Sequence, residues 1–274
     1  MQISFFASAI KVHLWEKVLD SLKSNTIGYE VVFSGWIDKG LIKEITEKYP
    51  NFRYINTLDI KPAQCYEIAR RACKGDYIIW GSDDCEFPEK ALDKIYNKIV
   101  TSKRKTILAI NTIDPECMNN NLNDQRFFPR NVNTPQMAVM GCMDRNYLEE
   151  LGGLDKKYVY GKWECDICMR VLADGGQILP YTDISINIEH TSKNWQYNND
   201  WSGVNEDSES LENSWVVEGY KDFEKPLYVI GNAGLIPYFP ISNREVTFKR
   251  RDKFEPYEDE GITEKSQGKN TRWL

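Results

Sequence analysis

Two adjacent carboxylates, Asp83 and Asp84, stand just after an apolar run, Asp76-Tyr77-Ile78-Ile79-Trp80. Neighbouring acids at the end of a buried strand repel each other, and burial sharpens the repulsion. A divalent cation relieves it, and hard oxygen ligands suit Mg2+ or Mn2+. A polar turn that helps to start a helix near Pro88 accounts for the same two residues equally well. Further along come Gly152-Gly153-Leu154-Asp155 and then Trp163-Glu164-Cys165-Asp166-Ile167-Cys168-Met169-Arg170. Glu164 and Asp166 fall at a helix start, where the macrodipole favours negative charge, so ordinary first-turn acids are the competing account. Arg170 stands at (i, i+4) spacing from Asp166, which suits a local ion pair. His190, one of two histidines with His13, follows the alternating segment 183–189.

These residues need elements to hold them. Apolar spacing predicts strands over 2–8, 29–34, 52–55, 76–80 and 106–110, separated by helices over 12–23, 39–48, 63–73 and from Pro88 to about Val100. Strands alternating with helices imply βαβ units, right-handed crossovers and a mostly parallel sheet. Ligands in such sheets bind outside the carboxyl ends of the strands, which here means just after residues 8, 34, 55 and 80. Residues 111–135 break the rhythm as a long polar loop. Beyond them the pattern gives a strand over 136–143, helices over 144–151 and 164–174, and a strand over 183–189.

Composition is that of a globular chain of 274 residues, with 41% hydrophobic and 28% charged residues. The net charge of -6 argues against a nucleic-acid partner. The apolar start lacks a basic leader region and reads as a strand, and no window is long enough to span a bilayer, so a cytoplasmic protein is expected. The seven cysteines are scattered and odd in number, unlike a disulfide framework. Cys165 and Cys168 form a lone C-x-x-C on an amphipathic stretch and read as buried thiols in preference to half a zinc site or a redox pair.

Taken together, the acidic segments carry a resemblance. Residues Lys74 to Asp84 resemble the Gly-Asp-Tyr-Ile strand and following acidic pair of GT-A-fold glycosyltransferases, and more narrowly of the large inverting family 2. The Gly152–Asp155 turn with Glu164, Asp166 and Arg170 is similar to that family's later acidic segment; the likeness covers residues 2–190. It implies an α/β GT-A fold (nucleotide-diphospho-sugar transferase), with a mixed, mostly parallel sheet flanked by helices and a C-terminal extension. Residues 1–190 would form the nucleotide-sugar-binding and catalytic domain. Residues 191–274, aromatic and then charged, would pack on it and contribute to the acceptor side.

The implied activity is metal-dependent transfer of a sugar from a UDP- or GDP-linked donor to a hydroxyl of a glycan or other acceptor, with inversion. Asp84 would hold Mn2+ or Mg2+, joined by His190. Ala7, Ser34, Trp36, Gln64 and Asp83 would bind the nucleotide. Glu164 aligns with the family's base, and Asp166 with the acid after it, which binds acceptor or orients the loop.

The chain departs from the pattern in places. Phe33-Ser34-Gly35-Trp36-Ile37-Asp38 replaces an Asp-Asp-Gly-Ser, so that Trp36 either stacks on the base or covers the core edge. The acidic motif is Ser82-Asp83-Asp84-Cys85, and Gln64, Tyr66 and Glu67 lie where the family carries Arg-Asn. A non-catalytic saccharide- or partner-binding module on the same scaffold is the alternative. Trp195, Tyr197, Trp201 and Trp215 offer either an acceptor platform or ordinary packing. Lys249-Arg250-Arg251 offers either a contact to a phosphate or anionic surface or a solvated tail, and the tail is the preferred reading. A nucleotidyltransferase would want a Gly-rich basic loop where Ala7-Ser8-Ala9-Ile10-Lys11 stands, and no G-x-G-x-x-G is present for a dinucleotide enzyme.

Overall fold

The computed structural model describes residues 1–37, 39–57, 60–113, 138–189, 202–218 and 247–258. Four βα units open the chain: β1 (Ile3–Ser8), α1 (Val12–Ser21), β2 (Tyr29–Gly35), α2 (Lys39–Lys48), β3 (Phe52–Asn56), α3 (Pro62–Ala72), β4 (Tyr77–Trp80), the short β5 (Cys85–Glu86) and α4 (Ala91–Ile99). Then come β6 (Thr106–Ile113), β7 (Gly141–Asp144), α5 (Arg145–Glu150), α6 (Trp163–Ala173) and β8 (Gln177–Ile188). The remaining described elements are α7 (Ser202–Ser214), β9 (Trp215–Glu218) and β10 (Thr247–Arg250).

The eight-stranded sheet runs β3-β2-β1-β4-β7-β6-β8-β5, and β9 and β10 form a separate antiparallel pair. Strands β1 to β4 are parallel neighbours, as is the pair β6 and β8; β7 and β5 run against their neighbours. The architecture is therefore a mixed sheet flanked by helices. Apolar runs without alternation become strands buried on both faces. Phe5 packs with Trp15, Phe33 and Ile79 on the side of α1 and α4, while Phe6 packs with Val32, Ile78 and Trp80 on the side of α3, α5 and α6. Each such side chain, once fully buried, contributes about 1.5–3 kcal/mol.

Several boundaries differ from the periodicity, among them the helix expected from Pro88, which begins at Ala91. The strand expected over 136–143 is Gly141–Asp144; residues 136 and 137 lie outside the described residues. Residues 138–140 approach the sheet without a ladder: the Ala138 carbonyl accepts from Trp80 Nε1 at 3.0 Å and Met140 O from Ile110 N at 2.9 Å. Strand β6 continues to Ile113, into the segment read as loop, of which 114–137 lie outside the described residues. Strand β8 begins at Gln177, not 183, because Pro180 masks the alternation while sitting opposite Ala109 beside a register shift at Ile110/Asn111.

At the sheet edge away from the strand carboxyl ends, the buried Glu30 carboxylate accepts from Ser4 Oγ at 2.7 Å, Arg53 Nη2 at 2.7 Å and Lys74 N at 2.5 Å. That network fixes β1, β2 and β3 at the base and leaves the carboxyl edge for chemistry.

Candidate active site

The loop after β1 and the acidic pair after β4 are built as one unit. Lys11, just before α1, has no side-chain cap. The missing acceptor comes from far along the chain: Asp83 Oδ2 accepts from Ile10 N and Lys11 N, both at 2.7 Å, and from Trp15 Nε1 at 3.0 Å. An anion at a helix N-terminus is favourable, so Asp83 locks the first loop to the fourth strand. Burial pushes its carboxyl above the usual range, the N–H donors pull it down, and the charge of Asp84 adds to the rise. The side chain of Asp84 is 0% exposed, and its Oδ2 pairs with the ammonium of Lys11.

The residues expected at the nucleotide lie along the same edge. Ala7 and Ser34 are buried at the ends of β1 and β2. Gly35 is required where it stands, since a Cβ there would lie 2.1 Å from the Ala9 carbonyl oxygen. Trp36 follows with 65% of its surface open, so it does not cover the core edge. Gln64 is buried on α3 and its Nε2 has no hydrogen-bond partner among the described residues. A buried donor of this kind calls for an acceptor. Next to it the Cys65 thiol sits among the hydroxyls of Thr57, Ser8 and Ser34, and burial raises its pKa. Asp38 lies outside the described residues.

The opposite wall is α6. Its approach turns at Gly152 and Gly153, with φ of +94° and +76°, conformations that favour glycine. Glu67 and Arg70 of α3 seat this turn: Glu67 Oε2 accepts from Arg70 Nε at 2.7 Å and from Leu154 N at 3.2 Å, and a Cβ on Gly153 would meet Arg70 Nη2 at 2.8 Å. Glu67 thus has a structural task where the resembled family carries a different pair.

Asp166 is fully buried and closed in by donors. Arg170 Nε reaches Oδ2 at 2.8 Å, while Trp215 Nε1 at 2.9 Å and Arg250 Nη1 at 3.2 Å reach Oδ1. Arg250 also pairs with Asp155, and Arg170 donates to the carbonyls of Leu151 and Gly153. Of the two roles expected for Asp166, this geometry fits orienting the loop and leaves no face for an acceptor. Arg250 corrects the expectation of a solvated tail at 249–251: β9 and β10 carry it onto two buried carboxylates, and its side chain is 13% exposed. Trp215 is likewise packed and hydrogen-bonded, not an open platform.

Glu164 is different. It is partly exposed on the first turn of α6, and Lys162 before it is buried with a left-handed φ of +64°. Strain of this kind gathers at functional sites. The Glu164 carboxyl is pushed up by burial, pulled down by its own N–H and by Lys162, and pushed up again by Asp207.

Asp207 of α7 reaches this wall from the C-terminal segment. Its carboxylate accepts from the backbone N–H groups of Val159, Tyr160 and Gly161 at 2.9, 2.7 and 2.9 Å, while the Val159 carbonyl accepts from Ala63 N at 3.0 Å. The loop before α6 is thus clamped between α7 and α3. Asp207→Asn is expected to shift the acidic limb of the pH–rate profile downward, because it removes a charge that raises Glu164. An unshifted limb, read from kcat/KM against pH, would show that Asp207 acts on the fold alone.

The two walls meet at Tyr66. Its hydroxyl donates to the Gly81 carbonyl at 2.8 Å, and its ring lies 4.7 Å from that of Trp163, which in turn contacts Trp80. Burial raises the Tyr66 hydroxyl well above its usual pKa, and the charges of Asp83, Glu164 and Asp84 raise it further. Tyr66 thus ties α3 to the end of β4 and to the first residue of α6 at the carboxyl edge of the sheet.

Among the described residues no three His, Cys, Asp or Glu side chains form a metal-binding group. His190 lies outside the described residues, as do Trp195, Tyr197 and Trp201. The donor set at Asp84 still fits a hard cation. The carboxylate is already paired with a cationic group, the Lys11 ammonium, and Mg2+ or Mn2+ is commonly bound by one or two carboxylates, with substrate phosphate and water completing the shell. Cys165 and Cys168 are buried thiols facing the core.

Lys11, Asp207 and Arg250 were not visible as site residues in the sequence. Asp207 sits in an acidic helical stretch and Arg250 in a charge run, and both patterns usually mark solvated faces.

No protein-family model matches the sequence, and no curated protein matches it. Solved structures do. TarS residues 1–349 of S. aureus superpose with a TM-score of 0.54 at 14% identity, covering 69% of this chain and 60% of that one. The same fragment in complex with UDP-GlcNAc gives 0.54 at 12%, covering 72% and 62%. The mannosyltransferase PcManGT from Pyrobaculum calidifontis, in complex with GDP-Man and Mn2+, gives 0.54 at 15%, covering 71% and 58%. The chain thus spans less than two thirds of these proteins. At such identities the likeness shows architecture: the chain has the GT-A glycosyltransferase fold.

Proposed function

We propose that the chain is a cytoplasmic glycosyltransferase that moves a sugar from a UDP- or GDP-linked donor to a hydroxyl of a glycan or other acceptor, with a divalent cation and with inversion. The observation that carries this is the buried acidic pair after β4, with Asp83 binding the loop after β1 and Asp84 pairing with Lys11, at the carboxyl edge of a sheet with the GT-A fold. The neighbours in complex with UDP-GlcNAc or with GDP-Man and Mn2+ support it. The buried thiols at Cys65, Cys73, Cys85, Cys142, Cys165 and Cys168 suit a reducing compartment.

In this reading Trp36 offers its open face to the base, and Ala7, Ser34 and Gln64 line the edge beside it. Asp83 keeps the first loop in place for the nucleotide. Asp84, with His190, would hold Mn2+ or Mg2+, which when bound supplies charge stabilisation at the diphosphate leaving group. Glu164 takes the proton from the acceptor hydroxyl as that oxygen attacks the anomeric carbon from the side opposite the diphosphate, and such attack inverts the centre. Tyr66 and Trp163 form the apolar floor between the two. Residues 191–274 complete the acceptor side through α7.

The test is calorimetric titration of UDP, GDP and their sugars, with Mn2+ and then with chelator, on wild type and Asp84→Asn. Metal-dependent binding of one nucleotide, lost in Asp84→Asn, is expected. Absence of any nucleotide binding under both conditions would favour the saccharide- or partner-binding module.

A further inference from the structure

We propose that Lys11 is a built-in occupant of the cation position at Asp84, and that nucleotide diphosphate and divalent cation must displace its ammonium together; this rests on the transferase reading above. The ammonium pairs with a carboxylate that is 0% exposed, while the lysine side chain itself is 18% exposed. The lysine backbone does not move freely, because Lys11 N and Ile10 N are both bound to Asp83 Oδ2 at 2.7 Å. Only the flexible stem, which is partly exposed, can swing.

A buried carboxylate without a counterion is costly, and Lys11 removes that cost in the empty enzyme. Asp83, Asp84 and Lys11 together leave one net negative charge. A divalent ion arriving alone must break the ion pair and then face the freed ammonium at close range. A diphosphate arriving with the ion gives that ammonium an anion to pair with. The metal and the nucleotide therefore favour each other, by linkage that runs in both directions. The same arrangement keeps cations from filling the site without a donor. After displacement, Lys11 becomes a donor-binding residue that touches the diphosphate.

The experiment is titration of Mn2+ alone, and of Mn2+ with saturating UDP or GDP, into wild type, Lys11→Met and Lys11→Gln, with thermal midpoints in chelator and in Mn2+. Wild type is expected to bind Mn2+ about tenfold or more tightly when nucleotide is present. Lys11→Met is expected to bind Mn2+ alone about tenfold or more tightly than wild type, with most of that coupling gone. Its midpoint should fall in chelator and recover with Mn2+. Equal affinity of wild type and both variants for Mn2+ alone would overturn the proposal, as would equal Mn2+ affinity of wild type with and without nucleotide; this second comparison needs no variant to fold. Nucleotide binding by wild type that ignores metal would overturn it too, and would remove the divalent cation from the reading above while leaving a nucleotide-sugar transferase. If no nucleotide binds at all, the transferase reading fails, and the comparison of Mn2+ alone still decides the role of Lys11.

Discussion

Glu164→Gln is expected to retain nucleotide binding and to lose about 10²–10⁴-fold in transfer rate, the range typical of removing a general base. The amide is close in shape and cannot take the acceptor proton. The Glu164 carboxyl lies above the ordinary carboxylate range through burial, with Asp207 adding to the rise. A base must be ionised, so wild-type kcat/KM should climb with pH through this raised pKa and reach its plateau only above it. Stability runs the other way. A carboxyl whose folded pKa is raised favours the fold when protonated; that contribution is present below the unfolded pKa and is lost as pH rises through the folded one. Glu164→Gln should therefore be at least as stable as wild type at neutral pH. Full turnover in this variant, measured with a saturating donor, would remove Glu164 from the chemistry.

Asp166→Asn is expected to behave in the opposite manner. Its carboxylate is enclosed by Arg170, Arg250 and the Trp215 indole, with no exposed surface. Breaking a buried ion pair by removing one partner costs about 3–5 kcal/mol, because a buried charge is left without compensation. For a chain of this size that lowers the thermal midpoint on the order of 10 °C. Loss of activity should then follow loss of structure: the variant, assayed well below its midpoint, should retain much of its transfer rate. An Asp166→Asn enzyme of wild-type stability that does not turn over would instead return Asp166 to the acceptor.

Much of this site was legible residue by residue. The acidic pair could be placed after an apolar strand, and Glu164 and Asp166 on the first turn of a helix, because strand and helix periods are written in neighbouring positions. The same logic put Ala7, Ser34 and Trp36 at the ends of the first two strands. It failed where the signal was interrupted, as at Pro180 in β8, or too short to have a period, as in the two residues of β5.

The sequence by itself determined the alternation of strands and helices, the open carboxyl edge and the presence of carboxylates on it, since these depend on polarity pattern and local backbone preference. Only the tertiary structure decided what each carboxylate does. Asp83 ties down a helix start, Asp84 pairs with Lys11, Asp166 is closed off, and Glu164 alone of the four is left partly open and raised in pKa. Lys11 and Asp84 are separated by 73 positions, Arg250 and Asp166 by 84, and Asp207 and Val159 by 48. A charge on a helix looks the same in sequence whether water or a distant arginine will meet it, and the difference between those two surroundings, in desolvation and in pairing, sets its chemistry.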